Sequence, residues 1–401
     1  MASISRVNLL APQTIPAQAR VPESEAAIPW YLWCSVLALT SNTIGGYWDL
    51  SWHRSIGRDS FLTPAHIAIY LCGVLSAISC GYLILNTTFR RPASMLASSV
   101  KIFGFDAPLG AFISAWGGIA MLTSAPFDDW WHNTYGLDVK VVSPPHALLQ
   151  LGSFAVAFGT FILILGALNR AIANGRVADS KSLQRLLMYV GGLIIVFQMF
   201  FRYEWIGDTH QHSSIAYASI AIGIPTIFAM LWYGLRNRWS LAMASGVYMV
   251  FLIGQILILP LFPAVPKLGP VYYPVTHFVP APFPILLLVP AALLELFWNR
   301  TQAWKPWQTA LASGPVFVLS LVAAQWPFAN FLMSKYAANR FFATTMFSYG
   351  TKSTGDNFLR HFTTPEYGMI LTKGLVLAAV YAAVSTWIGI HLGRWMRSIE
   401  R

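Results

Sequence analysis

Apolar residues run along this chain in blocks of about twenty, broken by short polar joints. A block of ~20 apolar residues is long enough to cross a bilayer as a helix. Hydropathy and periodicity predict ten spans, near 29–49, 64–87, 107–125, 145–169, 184–201, 213–235, 240–262, 276–298, 308–332 and 368–393. The expected fold class is therefore all-α, a polytopic transmembrane helical bundle. No joint approaches the roughly 100 residues of an ordinary soluble domain. Composition agrees: 56% of residues are hydrophobic and only 10% charged, against about 25% charged in soluble proteins.

The charge changes the picture in one respect. A net charge of +11 would point to nucleic acid in a soluble protein, but here the bases sit in the joints. One set of joints carries Arg90, Arg91 and Lys101, then Arg170, Arg176, Lys181 and Arg185, then Arg236 and Arg238, then Arg300 and Lys305. The tail adds Arg394, Arg397 and Arg401. Bases in short loops mark the cytoplasmic side and meet anionic lipid. Membrane lipid, not nucleic acid, is the partner they imply, and ten spans then place both termini in the cytoplasm. The expected location is a bacterial inner membrane. The opposite joints are 50–63, 126–144, 202–212, 263–275 and 333–367, the last holding Lys335, Arg340, Lys352 and Arg360.

The first 28 residues are polar and lack an apolar core, so they read as a cytoplasmic tail and not as a secretory signal. The expected organisation is that tail, a module at 29–171, and further spans at 172–401 with an outer loop at 333–367. Cys34, Cys72 and Cys80 all lie in apolar blocks and form no CxxC pair, which implies buried free thiols.

Eight of the nine histidines fall in or beside the outer joints: His53, His66, His132, His146, His210, His212, His277 and His361. His391 lies at the cytoplasmic end. Ionisable side chains are costly in lipid, so their gathering on one face points to function. Four of them belong to an internal repeat. Asp49, His53, Gly57, Asp59, Pro64 and His66 align with Asp128, His132, Gly136, Asp138, Pro144 and His146. The offset is 79 residues up to the second Asp and 80 at the last His, which implies one inserted residue. The repeat makes spans 1–2 and 3–4 a duplicated helical hairpin, and sites often form where such copies meet.

Asp and His four apart share one face of a helix, so carboxylate and imidazole can converge on one ion. The next span supplies a second imidazole. Asp49, His53 and His66, and likewise Asp128, His132 and His146, are thus candidate three-ligand metal sets with room for water, oxygen or substrate. Imidazole suits copper, zinc and iron, and the carboxylate widens the choice to iron and manganese. Asp59 and Asp138 are expected to orient an imidazole N–H, or to ligate themselves. The plain alternative is a pair of polar hairpins capped by Asp and belted by Trp48, Trp52, Trp130 and Trp131 at the interface.

In these residues the chain resembles the C subunit of the copper membrane monooxygenases, the family of particulate methane and ammonia monooxygenase. That family carries an Asp-x3-His-x12-His set followed by an Asn-x3-His-x13-His set. Asp49, His53 and His66 match the first spacing, and Asp128, His132 and His146 the second, with Asp128 where the family has Asn. The run Phe61-Leu62-Thr63-Pro64-Ala65-His66 is similar too, and the likeness covers about residues 45–155. The resemblance implies two copper sites in a copper-dependent monooxygenase subunit that oxidises a small apolar substrate. Electrons would come from a quinol or another donor, alongside other membrane or periplasmic subunits, because the chain shows no flavin or haem signature. Iron or zinc are alternatives to copper. Two other classes compete: a transporter or metal-delivery protein using the triads as a transit site, and a structural subunit of a respiratory complex.

In the second half, Glu204, Asp208, His210 and His212 form a further candidate polar site, or else a hydrated loop in which Arg202 pairs with Glu204 or Asp208. His277 reads as an interfacial residue. Loop 333–367, with Phe341, Phe342, Phe347, Asp356, His361 and Glu366, is expected to cover the outer face or dock a partner. No phosphate-binding loop, dinucleotide fingerprint, GxSxG or HExxH occurs.

Overall fold

The computed structural model describes residues 28–57, 59–136, 143–206, 211–235, 237–267, 275–280, 283–342 and 365–399, the side chains of 203–206 excepted. Twelve α-helices are found among them. In the N-terminal part these are α1 (Trp30–Ser55), α2 (Pro64–Arg90), the single turn α3 (Ala93–Leu96), α4 (Leu109–Tyr135) and α5 (Pro144–Ala173). Then follow α6 (Val177–Ile206), α7 (Ser214–Ala221), α8 (Ile224–Leu235), α9 (Ser240–Ile258), α10 (Leu288–Arg300), α11 (Pro306–Leu332) and α12 (Gly368–Met396). Between α3 and α4 a short antiparallel pair, β1 (Val100–Ile102) and β2 (Phe105–Ala107), makes a hairpin that hydropathy did not predict.

Eight segments are long and apolar enough to cross a membrane: α2, α4, α5, most of α6, α7 with α8, α9 with the turn after it, α11 and α12. Ile78, Leu85, Val250 and Ile370 are among many large apolar side chains left exposed on these helices. Water would penalise such a surface and lipid would not, so the bundle fits an integral membrane protein. Two of the ten expected spans fall short. Segment 29–49 is helical, but Ser35, Thr40, Ser41, Asn42 and Thr43 dilute its apolar character. Those hydroxyls are satisfied internally: Thr40 and Thr43 donate to Val36 O and Leu39 O, each at 2.9 Å, and Ser41 to Ala68 O at 2.7 Å. In segment 276–298 the described residues before Leu288 are not helical, and only α10 is. Thirteen residues rise about 20 Å, less than a hydrocarbon core of ~30 Å.

Helix α1 packs on α2, α4 on α5, and α2 on α4, which sets two helical hairpins side by side. Glycines permit the close crossings. A Cβ at Gly152 would lie 2.8 Å from Gly117 O, and one at Gly118 2.8 Å from Gly73 O. Only bare backbone lets the helices approach so far, the device that serves where lipid supplies no hydrophobic drive. The second half closes against this pair through α5–α6 and α1–α6 contacts, and α9 packs on α6, while α7, α8, α11 and α12 form their own group. The expected span at 213–235 is broken at Ile222–Gly223, where Gly223 takes φ 108°. The Arg202 guanidinium donates to the carbonyls of Ser219 and Ile222 at the break and to Gln198 Oε1.

One long-range contact bears on the site. Ser51 of α1 donates to Val279 O at 2.5 Å, and Val279 N–H donates to Ser55 Oγ at 2.7 Å. Lys267 N–H donates to Ile56 O at 2.8 Å. Ile56, Ala264 and Phe278 form a small buried cluster with Trp48 and Trp52 packed on it. The segment after α9 therefore clasps the C-terminal end of α1.

Candidate metal centres

Both α1 and α4 run past their apolar cores and carry the acid and the first histidine in their last turns. Each is followed within two residues by a glycine of positive φ. Gly57 and Gly136, four residues after His53 and His132, take φ 86° and 88°. Their amides donate to Trp52 O at 3.1 Å and His132 O at 3.0 Å. A residue in that conformation stops a helix at little cost only when it is glycine. Helices α2 and α5 likewise begin alike, with Pro64 and Pro144 at their first positions. Proline suits that place because its missing N–H has no partner there anyway. His66 and His146 follow two residues later and face back toward the ends of α1 and α4.

The first cluster joins Asp49, His53, Asp59 and His66, with ligand atoms all within 4.8 Å of one another. His66 Nε2 is 3.2 Å from Asp49 Oδ1 and 3.1 Å from Asp59 Oδ2. His53 Nε2 is 3.7 Å from Asp49 Oδ2 and 3.4 Å from Asp59 Oδ2. The second cluster joins Asp128, His132 and His146. Asp128 Oδ2 is 3.5 Å from His132 Nε2, and its Oδ1 is 3.5 Å from His146 Nε2. Both expected triads are thus brought together. Asp138, the counterpart of Asp59, lies outside the described residues.

The far side of the rings fixes their chemistry. His66 Nδ1 is 3.0 Å from Ser60 O and His132 Nδ1 3.3 Å from Gly136 O. A carbonyl only accepts, so Nδ1 carries the proton, and in the neutral ring Nε2 presents a lone pair to the cluster. Asp49 Oδ1 and Asp128 Oδ1 are buried and accept no hydrogen bond from any described residue. Each of these oxygens faces an imidazole Nε2, so either a protonated ring or a metal cation at the centre would satisfy it. The separations also suit a metal ion: bonds of ~2.0–2.1 Å give a tetrahedron with edges of about 3.3 Å, inside the observed 3.1–3.7 Å range. Burial raises the Asp59 carboxyl, but the His66 and His53 rings outweigh it and hold the group below the usual carboxylate value.

Tyr70 was not among the expected site residues. It stands one helical turn after His66, with ring centroids 5.9 Å apart. The charges of Asp49 and Asp59 from one cluster and of Asp128 from the other all act on its hydroxyl. The i,i+4 spacing from His66 was the available signal.

The remaining candidates do not assemble into a centre among the described residues. Of Glu204, Asp208, His210 and His212, only the His212 side chain is described. It is buried, with Nε2 2.9 Å from Asn330 Oδ1 and its ring against Trp326. Burial lowers its pKa, and the Asn330 contact partly offsets this. Arg202 serves the break between α7 and α8. Glu366 accepts from the Ser213 hydroxyl at 2.7 Å and the Ser214 amide at 2.8 Å, and so caps α7. His277 Nδ1 meets Thr276 Oγ1 at 2.9 Å, His391 packs on Trp387, and His361 lies outside the described residues.

No protein-family model matches the chain, and no curated protein or solved structure matches it either.

Proposed function

We propose that this chain is a membrane metalloprotein with two copper centres, held by Asp49, His53 and His66 and by Asp128, His132 and His146. We further propose that it serves as a monooxygenase-like subunit acting on a small apolar substrate. One observation carries the metal reading. Twice, a carboxylate and two imidazoles converge within reach of a single ion, with a buried carboxylate oxygen set against an imidazole Nε2. The resemblance to the copper membrane monooxygenase C subunit supplies the metal and the reaction class. Matching helix ends at Gly57 and Gly136, and matching starts at Pro64 and Pro144, support reading the hairpins as duplicated copies. The basic joints support cytoplasmic termini, with the centres on the outer face.

Bound copper would supply one-electron oxidation and oxygen binding. The chain's own part is positional. The Ser60 and Gly136 carbonyls hold Nδ1–H and aim Nε2, the carboxylates neutralise charge, and the apolar bundle lets a small lipid-soluble substrate approach from the bilayer. A second reading, metal delivery, draws on the exposure of His53, whose side chain is 47% accessible and open to an incoming ion.

Elemental analysis of the detergent-purified protein tests the first claim. The expected result is about two copper ions in the wild type and one fewer in each of His53→Ala and His132→Ala. No metal after loading with copper, iron and zinc, in a folded protein, would refute it. Oxygen uptake with product formation separates oxidation from delivery, which instead requires metal-dependent transfer across vesicles.

A further inference from the structure

We propose that Asp59 is a fourth metal ligand, which makes the first centre a closed, charge-balanced site for a divalent ion. This rests on the metal reading above. An acid that merely orients a histidine must meet the nitrogen turned away from the metal. That place is taken, since His66 Nδ1 lies 3.0 Å from Ser60 O. Asp59 Oδ2 instead approaches the inward nitrogens, 3.1 Å from His66 Nε2 and 3.4 Å from His53 Nε2. These match the distances that Asp49 makes to the same two rings, 3.2 and 3.7 Å. The two acids are also equally sheltered, with 22% and 23% of their side chains exposed.

The loop that carries Asp59 is held in place on both sides. Before it, Gly57 N–H bonds Trp52 O and Ile56 O accepts from Lys267 N–H. After it, Ser60 N–H donates to Thr63 Oγ1 at 2.8 Å and Ser60 O accepts from Thr63 N–H at 2.9 Å. Ser60 thus fixes His66 through its carbonyl and Asp59 through the chain. Two carboxylates and two neutral imidazoles cancel the charge of a divalent ion. Such hard donors favour it over cuprous copper, which prefers sulfur ligands. Four protein ligands also fill a tetrahedral shell, the mark of a site that holds its ion and does not open to substrate.

The test uses full-length protein in the His132→Ala background, loaded with Cu(II) and followed by electron paramagnetic resonance, with azide as an added ligand. The parent spectrum is expected to ignore azide. Asp59→Ala should open a position, so that azide shifts the spectrum. Asp59→Asn, which keeps the shape and loses the charge, should change the copper hyperfine splitting. It should also weaken retention by more than the about 10- to 100-fold that loss of an outer partner costs. An unchanged spectrum and affinity in Asp59→Asn, or an azide-sensitive parent, would overturn the fourth ligand while leaving the metal reading intact. Absence of copper from the wild type would overturn both.

Discussion

Replacing Gly152 by alanine gives a direct test of how the second hairpin is built. A Cβ at Gly152 would stand 2.8 Å from Gly117 O and 3.0 Å from Met121 N, both backbone atoms that cannot rotate away. Ordinary contact begins near 3.4 Å, so α4 and α5 must part by about 0.6 Å or bend. Forced methyls in tight packing cost ~1–3 kcal/mol, while alanine in a helix returns about 1 kcal/mol through propensity. The expected net is a loss of about 0–2 kcal/mol, seen as a lower midpoint of thermal unfolding in detergent. Gly81→Ala is the control, because no described atom lies within 4 Å of its Cβ position. That variant should be neutral or slightly stabilising. The site provides a second readout. Asp128 and His132 sit on one helix and His146 on the other, six residues from Gly152. Splayed helices should therefore weaken metal retention at the second centre and spare the first. If Gly152→Ala is as stable as Gly81→Ala and keeps both ions equally well, the tight crossing does not set the geometry of the centre.

Two further outcomes are expected. Ser55→Ala leaves the buried Val279 N–H without its acceptor, which costs about 1–3 kcal/mol; amide exchange at Val279 should speed up while exchange in α5 stays as it was. The His212 pKa is lowered in the fold by burial, so the folded state resists protonation and the unfolded state, titrating near ~6.5, does not. The sign follows: this stability is complete above that value and is lost as pH falls from there toward the lower folded pKa. Melting curves of wild type and His212→Gln should diverge at neutral pH and converge in acid. Parallel curves would show that His212 does not titrate as its burial implies.

The chemistry of the centres was legible because it repeats. Asp-x3-His twice, a glycine four residues later and a proline before the last histidine together define a helix end facing a helix start. Hydropathy alone drew those helices too short: the polar turns from Leu50 to Ser55 and from Pro126 to Tyr135 are helical because the glycines, not the apolar cores, end them. The Ser60 and Gly136 carbonyls could not be read, because backbone acceptors leave no mark on residue type. The break at Gly223 had a signal in Gly223 followed by Pro225, yet the surrounding apolar run hid it. The pairing of Val279 with Ser51 had none, since nothing local encodes a contact between residues 228 positions apart.

That same contact imposes an order in time. Ser51 and the acids of the first centre leave the ribosome early, but the segment that clasps α1 follows 228 residues later. At ~5–20 residues per second, the interval is on the order of 10–45 s. Through it the first cluster has its own side chains and no collar, so in the nascent protein these acids and histidines stand uncovered before the second half of the chain closes around them.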